Sequence, residues 1–403
     1  MTTDQKALIT ATVPILRENG LLLTKYFYNR MFIHHPDLKN IFNMGNQKTD
    51  KQQMALAMAV LAYAENIADP KVLMPVVDRI GHKHVSLDIR PEHYRIVGHH
   101  LLASIQEVLR DAATPDIVDA WTIAYNQLAA IMSGHESGLY QEKTSQMHGW
   151  TGWRPFKVER KVWESEEITS FYLVPVNGGK VARHVPGQFI SLRIFLPEMQ
   201  VNQARQYSLS SAPDDSYYRI SVKRELGKEI DANGMISNRL HDHVSEGDMV
   251  DLTAPAGNFV LPELLDAPVT LISGGVGLTP LLSMLYSLVD KGHPFPITWL
   301  HGCRNERVHA FKKQVAELAD QHAQVRHHIF YDLASETDQA AGILNGFLDI
   351  QGIDGLELDP NGHYFLCGPS VFISKQYKDL VSAGINKDNI HFEEFGPQVL
   401  SLN

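Results

Sequence analysis

At 403 residues the chain is too long for one hydrophobic core, so two or three domains are expected. A hydrophobic fraction of 44% with 20% charged residues excludes wholesale disorder, and a net charge of -10 argues against nucleic acid or an anionic membrane as the main partner. The two cysteines, Cys303 and Cys367, are far apart and form no CxxC or Cys/His spacing; with no basic-then-apolar start, this reads as a cytoplasmic chain without disulfide scaffold, zinc site or stable membrane association.

Up to residue 147 the pattern is helical. LLLTKYFYNRMF, QMALAMAVLAYA, VLMPVVDRI, YRIVGHHLLASIQEVL and IVDAWTIAYNQLAAIM carry apolar residues at spacings of three and four. The helices break at Gly20, Pro36, Asp69-Pro70 and Arg90-Pro91, while Thr114-Pro115 reads as an N-cap followed by proline in the first turn. From 148 to 264 the period becomes two. FKVERKVW, ITSFYLVPV, QFISLRIF, RQYSLS, YYRISVKRE and MVDLTAP alternate between NGG, PG, PDD and EGD turns, as a small antiparallel barrel requires, with one helix around ISNRLHDHV. From 265 to 403 strands alternate with helices: PVTLIS, LTPLLSMLYSLVDKG, ITWLHG, HAFKKQVAELADQHA, VRHHIFYD, HYFLCGP and VFISKQYKDLVSAG. That alternation predicts a parallel α/β sheet. The fold class is therefore multidomain: all-α, then antiparallel barrel, then α/β.

The strand PVTLIS runs into GGVGLTP, placing Gly275 and Gly277 where backbone and a helix N-terminus can cradle a pyrophosphate. Pro280 stands where the third glycine of GxGxxG would be, and a bare strand-to-helix turn fits this stretch equally well. In the helical part, VDRIGHKHVSL contains two histidines in a chain with 20. Successive helical residues turn by about 100°, so His82 and His84 point to nearly opposite sides and at most one can serve a given face.

Taken in order, RQYSLS, GGVGLTP and HYFLCGP resemble the ferredoxin–NADP reductase family, in which a flavin-binding barrel precedes a nicotinamide-binding α/β domain. The resemblance implies that Arg205, Gln206, Tyr207 and Ser208 hold FAD, with its pyrophosphate at Gly234, Met235, Ile236 and Ser237. It places Phe189 of PGQF, a position often tyrosine in relatives, against the flavin. It sets the nicotinamide dinucleotide against Gly275, Val276, Gly277, Leu278, Thr279 and Pro280, and against Cys367, Gly368 and Pro369. HFEEFGP then brings Glu393, Glu394, Phe395, Gly396 and Pro397 to the cofactors, with Glu394 standing where relatives have cysteine. NADH or NADPH is the implied donor. Arg304 in HGCRNERVHAF can meet a 2′-phosphate or solvent, and NADH is the reading preferred here.

A helical domain with NRMFIHHPDLKNIFNMGNQ, KQQMALA and GHKHVSL resembles a globin, and the whole chain resembles a flavohaemoglobin. The KHxS motif of that family implies His84 as the haem-iron ligand, with Lys83 just before it and His82 as the solvated or rim residue. Phe42 matches the phenylalanine that packs on haem, and Tyr28 a pocket tyrosine able to donate to oxygen. Gln52 and Leu56 lie four apart on one helical face and, in register with the family, face the distal pocket, whereas Gln53 does not. Tyr94 and Glu136 match the tyrosine and glutamate around the ligand, where a carboxylate accepting the second ring N–H raises its basicity. His34, His35, His99, His100 and His135 match no motif and read as surface or satisfied core residues.

The activity this resemblance implies is nitric oxide dioxygenation: electrons pass from NAD(P)H through FAD to haem, and nitric oxide and O2 are converted to nitrate by what is expected to be a monomer. Two rival readings are an oxygen-sensing globin with its own reductase, and a general flavin reductase for external acceptors.

Overall fold

The computed structural model describes residues 1–48, 50–227 and 233–396; Pro397 lies outside them. Among the described residues, seven α-helices open the chain: α1 (Thr3–Ala11), α2 (Val13–His34), α3 (Met44–Lys48), α4 (Lys51–Glu65), α5 (Met74–Ser86), α6 (Pro91–Leu109) and α7 (Pro115–Ser145). The expected start signal of α7 is present, since the Thr114 hydroxyl accepts from the Ile117 N–H and Pro115 occupies the first turn. Helix α2 packs on α4 and α6, and α7 on α1, α5 and α6. Their shared core contains Leu23, Phe27, Met31, Tyr63, Ile105 and Trp121. The α6–α7 crossing needs a residue without a side chain, because a Cβ on Gly98 would lie 2.3 Å from the Tyr125 ring.

An antiparallel sheet follows, built from β1 (Arg154–Trp163), β2 (Ile168–Pro175), β3 (Phe189–Leu196), β4 (Val201–Ser208), β5 (Tyr218–Lys223) and β6 (Met249–Leu252) in the order β4-β3-β6-β1-β2-β5. A bridge from Leu209, just past β4, to Ile220 of β5 joins the outermost strands into a barrel. Helix α8 (Met235–His243) precedes β6.

The last part is a parallel sheet of β7 (Val269–Gly274), β8 (Ile297–Cys303), β9 (Val325–Tyr331), β10 (Leu344–Asn345), β11 (His363–Gly368) and β12 (Ile390–Glu394). Its order is β10-β9-β8-β7-β11-β12, with α9 (Leu278–Asp290), α10 (Lys312–Gln321), α11 (Glu336–Ala340) and α12 (Ser370–Ser382) as its helices. The chain steps outward from β7 to β10 and then returns to the other side of β7. A sheet of this kind opens its ligand crevice at that reversal, beyond the carboxyl ends of β7 and β11. The stretch HFEEFGP, which carried no strand expectation, contributes β12 at the edge.

By contact density the chain divides into two compact units. One comprises Met1–Arg154, Ser191–Gln206 and Asp251–Asn258; the other comprises Pro155–Ile190, Tyr207–Val250 and Phe259 onward. The helical unit thus includes parts of β3, β4 and β6. None of the helices in the described residues is long and apolar enough to cross a membrane.

Candidate functional site

In the helical unit, α5 presents His84 near its C-terminal end, α6 presents Tyr94 in its first turn, and α7 presents Glu136. The His84 Nδ1–H donates to Glu136 Oε1 at 2.7 Å, and the Tyr94 hydroxyl donates to the same oxygen at 2.5 Å while lying 2.9 Å from Nδ1. Glu136 is 2% exposed, whereas the His84 side chain is one-third exposed. Burial, then the Glu136 carboxylate, hold the Tyr94 phenol far above its ordinary range, so it remains a donor. The Tyr125 hydroxyl donates to the Tyr94 carbonyl at 2.5 Å, and Tyr140 donates to Ile89 O at 2.7 Å. With Nδ1 committed to a buried carboxylate, Nε2 is the nitrogen available to a metal, and this donor set fits an axial imidazole of haem.

His82 does not take the solvated position expected of it. Its side chain is 17% exposed, its Nδ1 accepts from the Gly257 N–H at 3.2 Å, and burial lowers its pKa. The cause is the loop after β6, which packs against α5 within the same unit. His135 is held by Asp78 at 2.9 Å, and His100 is buried beside Arg30, its pKa lowered to about 4 chiefly by desolvation. His34, His35 and His99 pack their rings around His100.

Tyr28 on α2 is buried and packs edge-on against Phe42 at a ring separation of 5.7 Å. Phe32 stacks on it at 5.9 Å, and Leu56 packs into the same cluster. Desolvation raises the pKa of the phenol well above the usual range, and a hydrogen bond with Gln52 tempers that shift. Gln47 Nε2 donates to Gln52 Oε1 at 3.2 Å. Gln53 instead donates to Gln47, at 3.1 Å to its carbonyl and 2.7 Å to its side-chain oxygen. An apolar aromatic wall with one phenol and one amide has the chemistry needed to orient a small diatomic molecule.

The run RQYS occupies the end of β4. Arg205 and Gln206 belong to the helical unit, with Arg205 donating to Ala204 O at 2.6 Å and Gln206 donating to Ser86 Oγ at 2.8 Å. The Gln206 side chain therefore points to a protein partner. Tyr207 is half-buried and Ser208 buried, in the other unit, as are Gly234, at the start of α8, and Met235, Ile236 and Ser237 in its first turn. The Ser237 hydroxyl accepts from Glu225 N at 3.2 Å, and a Cβ on Gly234 would come within 2.6 Å of it. Among the described residues no side chain caps α8 at Gly234, and an uncapped helix start is the kind of place that suits an anion. Phe189, at the start of β3, is 6% exposed.

In the α/β part, Gly275 adopts φ +55 with open space where a side chain would stand. A Cβ on Gly277 would lie 2.1 Å from the Cys367 carbonyl oxygen, so the GGVG turn rests directly on the end of β11. Val276 is half-buried, Leu278, Thr279 and Pro280 are buried behind the turn, and Thr279 Oγ donates to Val276 O at 3.1 Å. Cys367 is fully buried, Gly368 is buried, and Pro369 is exposed at the helix entry. Burial, with Glu393 nearby, keeps the Cys367 thiol protonated far above its ordinary range. Glu393 and Glu394 pair with Cys367 and Gly368 across β11–β12, and Ser370 donates to Glu394. Phe395 is 43% exposed, and Gly396 turns the chain at φ +113. An open, glycine-lined turn at a helix start is the shape a dinucleotide pyrophosphate needs.

Two residues to which the sequence drew no attention stand out. Ser86, the serine of KHxS, is fully buried and bonded on four sides. Lys143 on α7 is buried, donates to the carbonyls of Ala254 and Pro255, and has its pKa lowered to about 8 by desolvation. Only the position of Ser86 two residues beyond a motif histidine could have flagged the first.

Comparison with known proteins accords with this construction. Residues 25–132 match the globin model, 155–261 the oxidoreductase FAD-binding domain, and 271–378 the oxidoreductase NAD-binding domain. The flavohemoprotein of Chromobacterium violaceum is 48% identical over 97% of both chains. The crystal structure of flavohemoglobin from Malassezia yamatoensis with bound FAD and heme superimposes with a TM-score of 0.86 at 26% identity, covering 98% of this chain and 99% of that one. The FAD/NAD-binding domain of nitric oxide dioxygenase from Vibrio cholerae matches 60% of this chain and 99% of its own, at 38% identity and a TM-score of 0.56. The chain belongs to the flavohemoprotein family, oxidoreductases that join a haem-binding globin to an FAD- and NAD-binding reductase.

Proposed function

We propose that the chain is an NADH-dependent nitric oxide dioxygenase, converting nitric oxide and O2 to nitrate, with domains at 1–147, 148–264 and 265–403. The observation that carries this reading is the Tyr94–Glu136–His84 triad, in which His84 and Tyr94 both bond to the buried Glu136 carboxylate. A carboxylate on the Nδ1–H gives the imidazole anionic character, which favours oxygen activation over reversible carriage. Haem, when bound, supplies the centre at which dioxygen and nitric oxide combine, while FAD converts a two-electron hydride into single electrons.

His84 would hold the iron through Nε2, and Glu136 keeps the proton of that ring on Nδ1. Tyr94 shares the carboxylate and fixes its rotamer. On the other face Tyr28, kept protonated by its apolar surroundings, donates a hydrogen bond to the diatomic substrate. Gln52 holds that phenol in position, and Phe42 and Leu56 exclude water. Lys83, next to His84 in the chain, would flank the haem when it is bound. Arg205, Tyr207, Ser208, Phe189 and the α8 N-terminus hold FAD, Gln206 lending its backbone to the run; Gly275 to Pro280 with Cys367 to Pro369 hold the dinucleotide. Glu393, Glu394, Phe395 and Gly396, at the end of β12, would complete the cofactor site.

NADH is favoured over NADPH because Arg304, on the loop after β8, already pairs with Glu167. The vacant-handed cation that a 2′-phosphate needs is thus already compensated.

The decisive measurement is NADH consumption under O2 with and without nitric oxide, with nitrate quantified. Strong acceleration with nitrate formed supports the reading, and slow, unaccelerated consumption rejects it. Tyr28→Phe should keep full haem occupancy while lowering nitric oxide turnover; unaltered turnover would remove Tyr28 from the mechanism.

A further inference from the structure

Helix α9, which starts directly after the GGVG turn, presents Ser283 and Tyr286 three residues apart and so on one face. Each meets a buried basic side chain of the barrel inside the same compact unit, and neither of those side chains belongs to a motif. The His184 imidazole, 3% exposed, shares a hydrogen bond with Ser283 Oγ across 3.1 Å. Burial lowers its pKa to about 4, so it stays a neutral partner. The loop that carries it leads into Phe189 and is pressed onto α9 at Gly187, where a Cβ would lie 2.6 Å from Met284 Cε and 2.1 Å from the Phe259 carbonyl oxygen. The Arg219 guanidinium on β5, 8% exposed, is hydrogen-bonded to the phenols of Tyr286 and Tyr172, and the Phe311 ring centre lies 5.1 Å away. On its other side Arg219 donates to the Ser210 carbonyl and, through Nε at 3.0 Å, to Ser210 Oγ. The Ser210 N–H returns a bond to Arg219 O at 2.9 Å, and the Leu209 N–H donates to Gln188 O at 2.9 Å. The chain just past Tyr207 and Ser208 is thus fixed by the same side chain that holds α9.

We propose that His184 and Arg219 are positioning residues for hydride transfer, fixing α9, and the dinucleotide turn at its start, against the barrel residues Phe189, Tyr207 and Ser208. This rests on the reading of GGVGLTP as dinucleotide site and of RQYS with Phe189 as flavin site. Hydride transfer moves one hydrogen with its electron pair: a C–H bond of the reduced nicotinamide breaks, an N–H bond of the flavin forms, and two electrons pass from one to the other. The reacting atoms must approach to about 3–3.5 Å, and a misplacement of about 1 Å can cost about 100-fold. The glycine turn grips a dinucleotide whatever the tilt of α9, whereas the approach to the flavin depends on what holds that helix. Ser283 stands only about 9 Å along the axis from Gly277, so a shift at its bond is passed on to the turn. A buried arginine bonded on both sides resists such a shift, because each partner left unpaired costs its desolvation.

The test uses the full holoprotein, anaerobic, mixed with NADH in a stopped-flow instrument, where flavin bleaching reads hydride transfer. Ser283→Ala combined with Tyr286→Phe removes two hydroxyls and little volume, and Arg219→Met removes the guanidinium while keeping its bulk. The bleaching rate at saturating NADH should fall by about tenfold in each protein, a fraction of what a misplacement of about 1 Å can cost. The NADH concentration at half-saturation, the FAD content and the affinity for NAD+ read by fluorescence should stay at wild-type values. The long-wavelength charge-transfer band formed when NAD+ is added to the reduced flavin, which reports the approach of the two rings, should weaken in both. An unchanged rate or an unchanged band in the double variant overturns the proposal. So does a rate loss matched by an equal loss of NADH affinity or of FAD, which would put these residues in the cradles themselves. Where Arg219→Met fails to fold, the double variant decides. If NADH does not bleach the flavin of the wild-type protein, the cofactor reading fails and the positioning role falls with it; wild-type bleaching with unaltered variants rejects the positioning role alone.

Discussion

The two units build their sites from different materials. In the helical unit the chemistry is held by side chains: an imidazole, a phenol and a carboxylate converge within 3 Å, and a second phenol with an amide lines the aromatic pocket. In the α/β part the cradle is backbone, made of a glycine at positive φ, a glycine pressed on a carbonyl and a helix start. The histidines repeat the contrast. His84 is partly exposed and bonded to a carboxylate, whereas His301 and His309 are buried, stacked at 4.9 Å, and bonded to the hydroxyls of Ser273 and Tyr331. Abundance of a residue type says little; partner and exposure decide whether an imidazole serves a metal or the core.

The largest effects should come from crossing the two designs. His84→Ala removes the metal-binding nitrogen while the flavin half stays whole, so the purified protein should show flavin bands and almost no Soret band. Gly277→Ala should do the converse. Its Cβ meets the Cys367 carbonyl at 2.1 Å, and backbone cannot yield cheaply, so haem should remain while NADH-driven flavin reduction collapses and stability drops by about 1–3 kcal/mol. Loss of both cofactors from either variant would break the comparison.

Next in size is Glu136→Gln. The amide can still accept from Nδ1–H, but the charge is gone, so the haem potential should move positive and nitric oxide turnover fall by about 10- to 100-fold. Haem content should hold. Equal turnover in the variant would show that the carboxylate only fills space.

Much of this was legible in the sequence because it rests on local rules. Period three to four, then period two, then alternation of strand and helix marked the three parts, and Gly275 and Gly277 marked a turn that needs absent side chains. The triad was not legible from spacing: Tyr94 and Glu136 lie 10 and 52 residues from His84, and only the helix packing brings them together. Resemblance named them, and the structure shows their hydrogen bonds. Ser86 was opaque for the same reason, since a buried serine in a helix end reads as filler until its partners at 191, 206 and 253 are in place. His82 misled because an exposed helical face was assumed where the loop after β6 covers it.

A moderate effect separates the core histidines from the functional one. Burial lowers His301 to about 4 and His309 to about 2, against an ordinary value of 6.5. The unfolded chain therefore binds more protons than the folded one between these values, and stability rises with pH through that window. It is fully present above about pH 6.5 and is lost progressively as pH falls toward 4, by about 3 kcal/mol for His301 alone. Thermal melts at stepped pH should show a steep acid slope that His301→Gln flattens; an unchanged slope would mean the pair is not what the acid attacks.

The smallest expected effect lies at the exposed end of the nucleotide side, where a side chain, not backbone, sets a preference. Arg304 is 61% exposed and its partner Glu167 24% exposed, so their pairing is worth little to stability. Its consequence is for selectivity, because a guanidinium held by a carboxylate offers no net charge to a 2′-phosphate. Glu167→Gln frees that charge without touching the glycine turn. The kcat/KM for NADPH should rise by about fivefold, corresponding to roughly 1 kcal/mol, while that for NADH stays constant. Since the gain is electrostatic and solvent-exposed, it should shrink as salt is raised past the point where the screening length falls below about 8 Å. A gain that persists at high salt would mean that the variant reshaped the crevice, and a parallel change with NADH would place Glu167 in the common dinucleotide cradle.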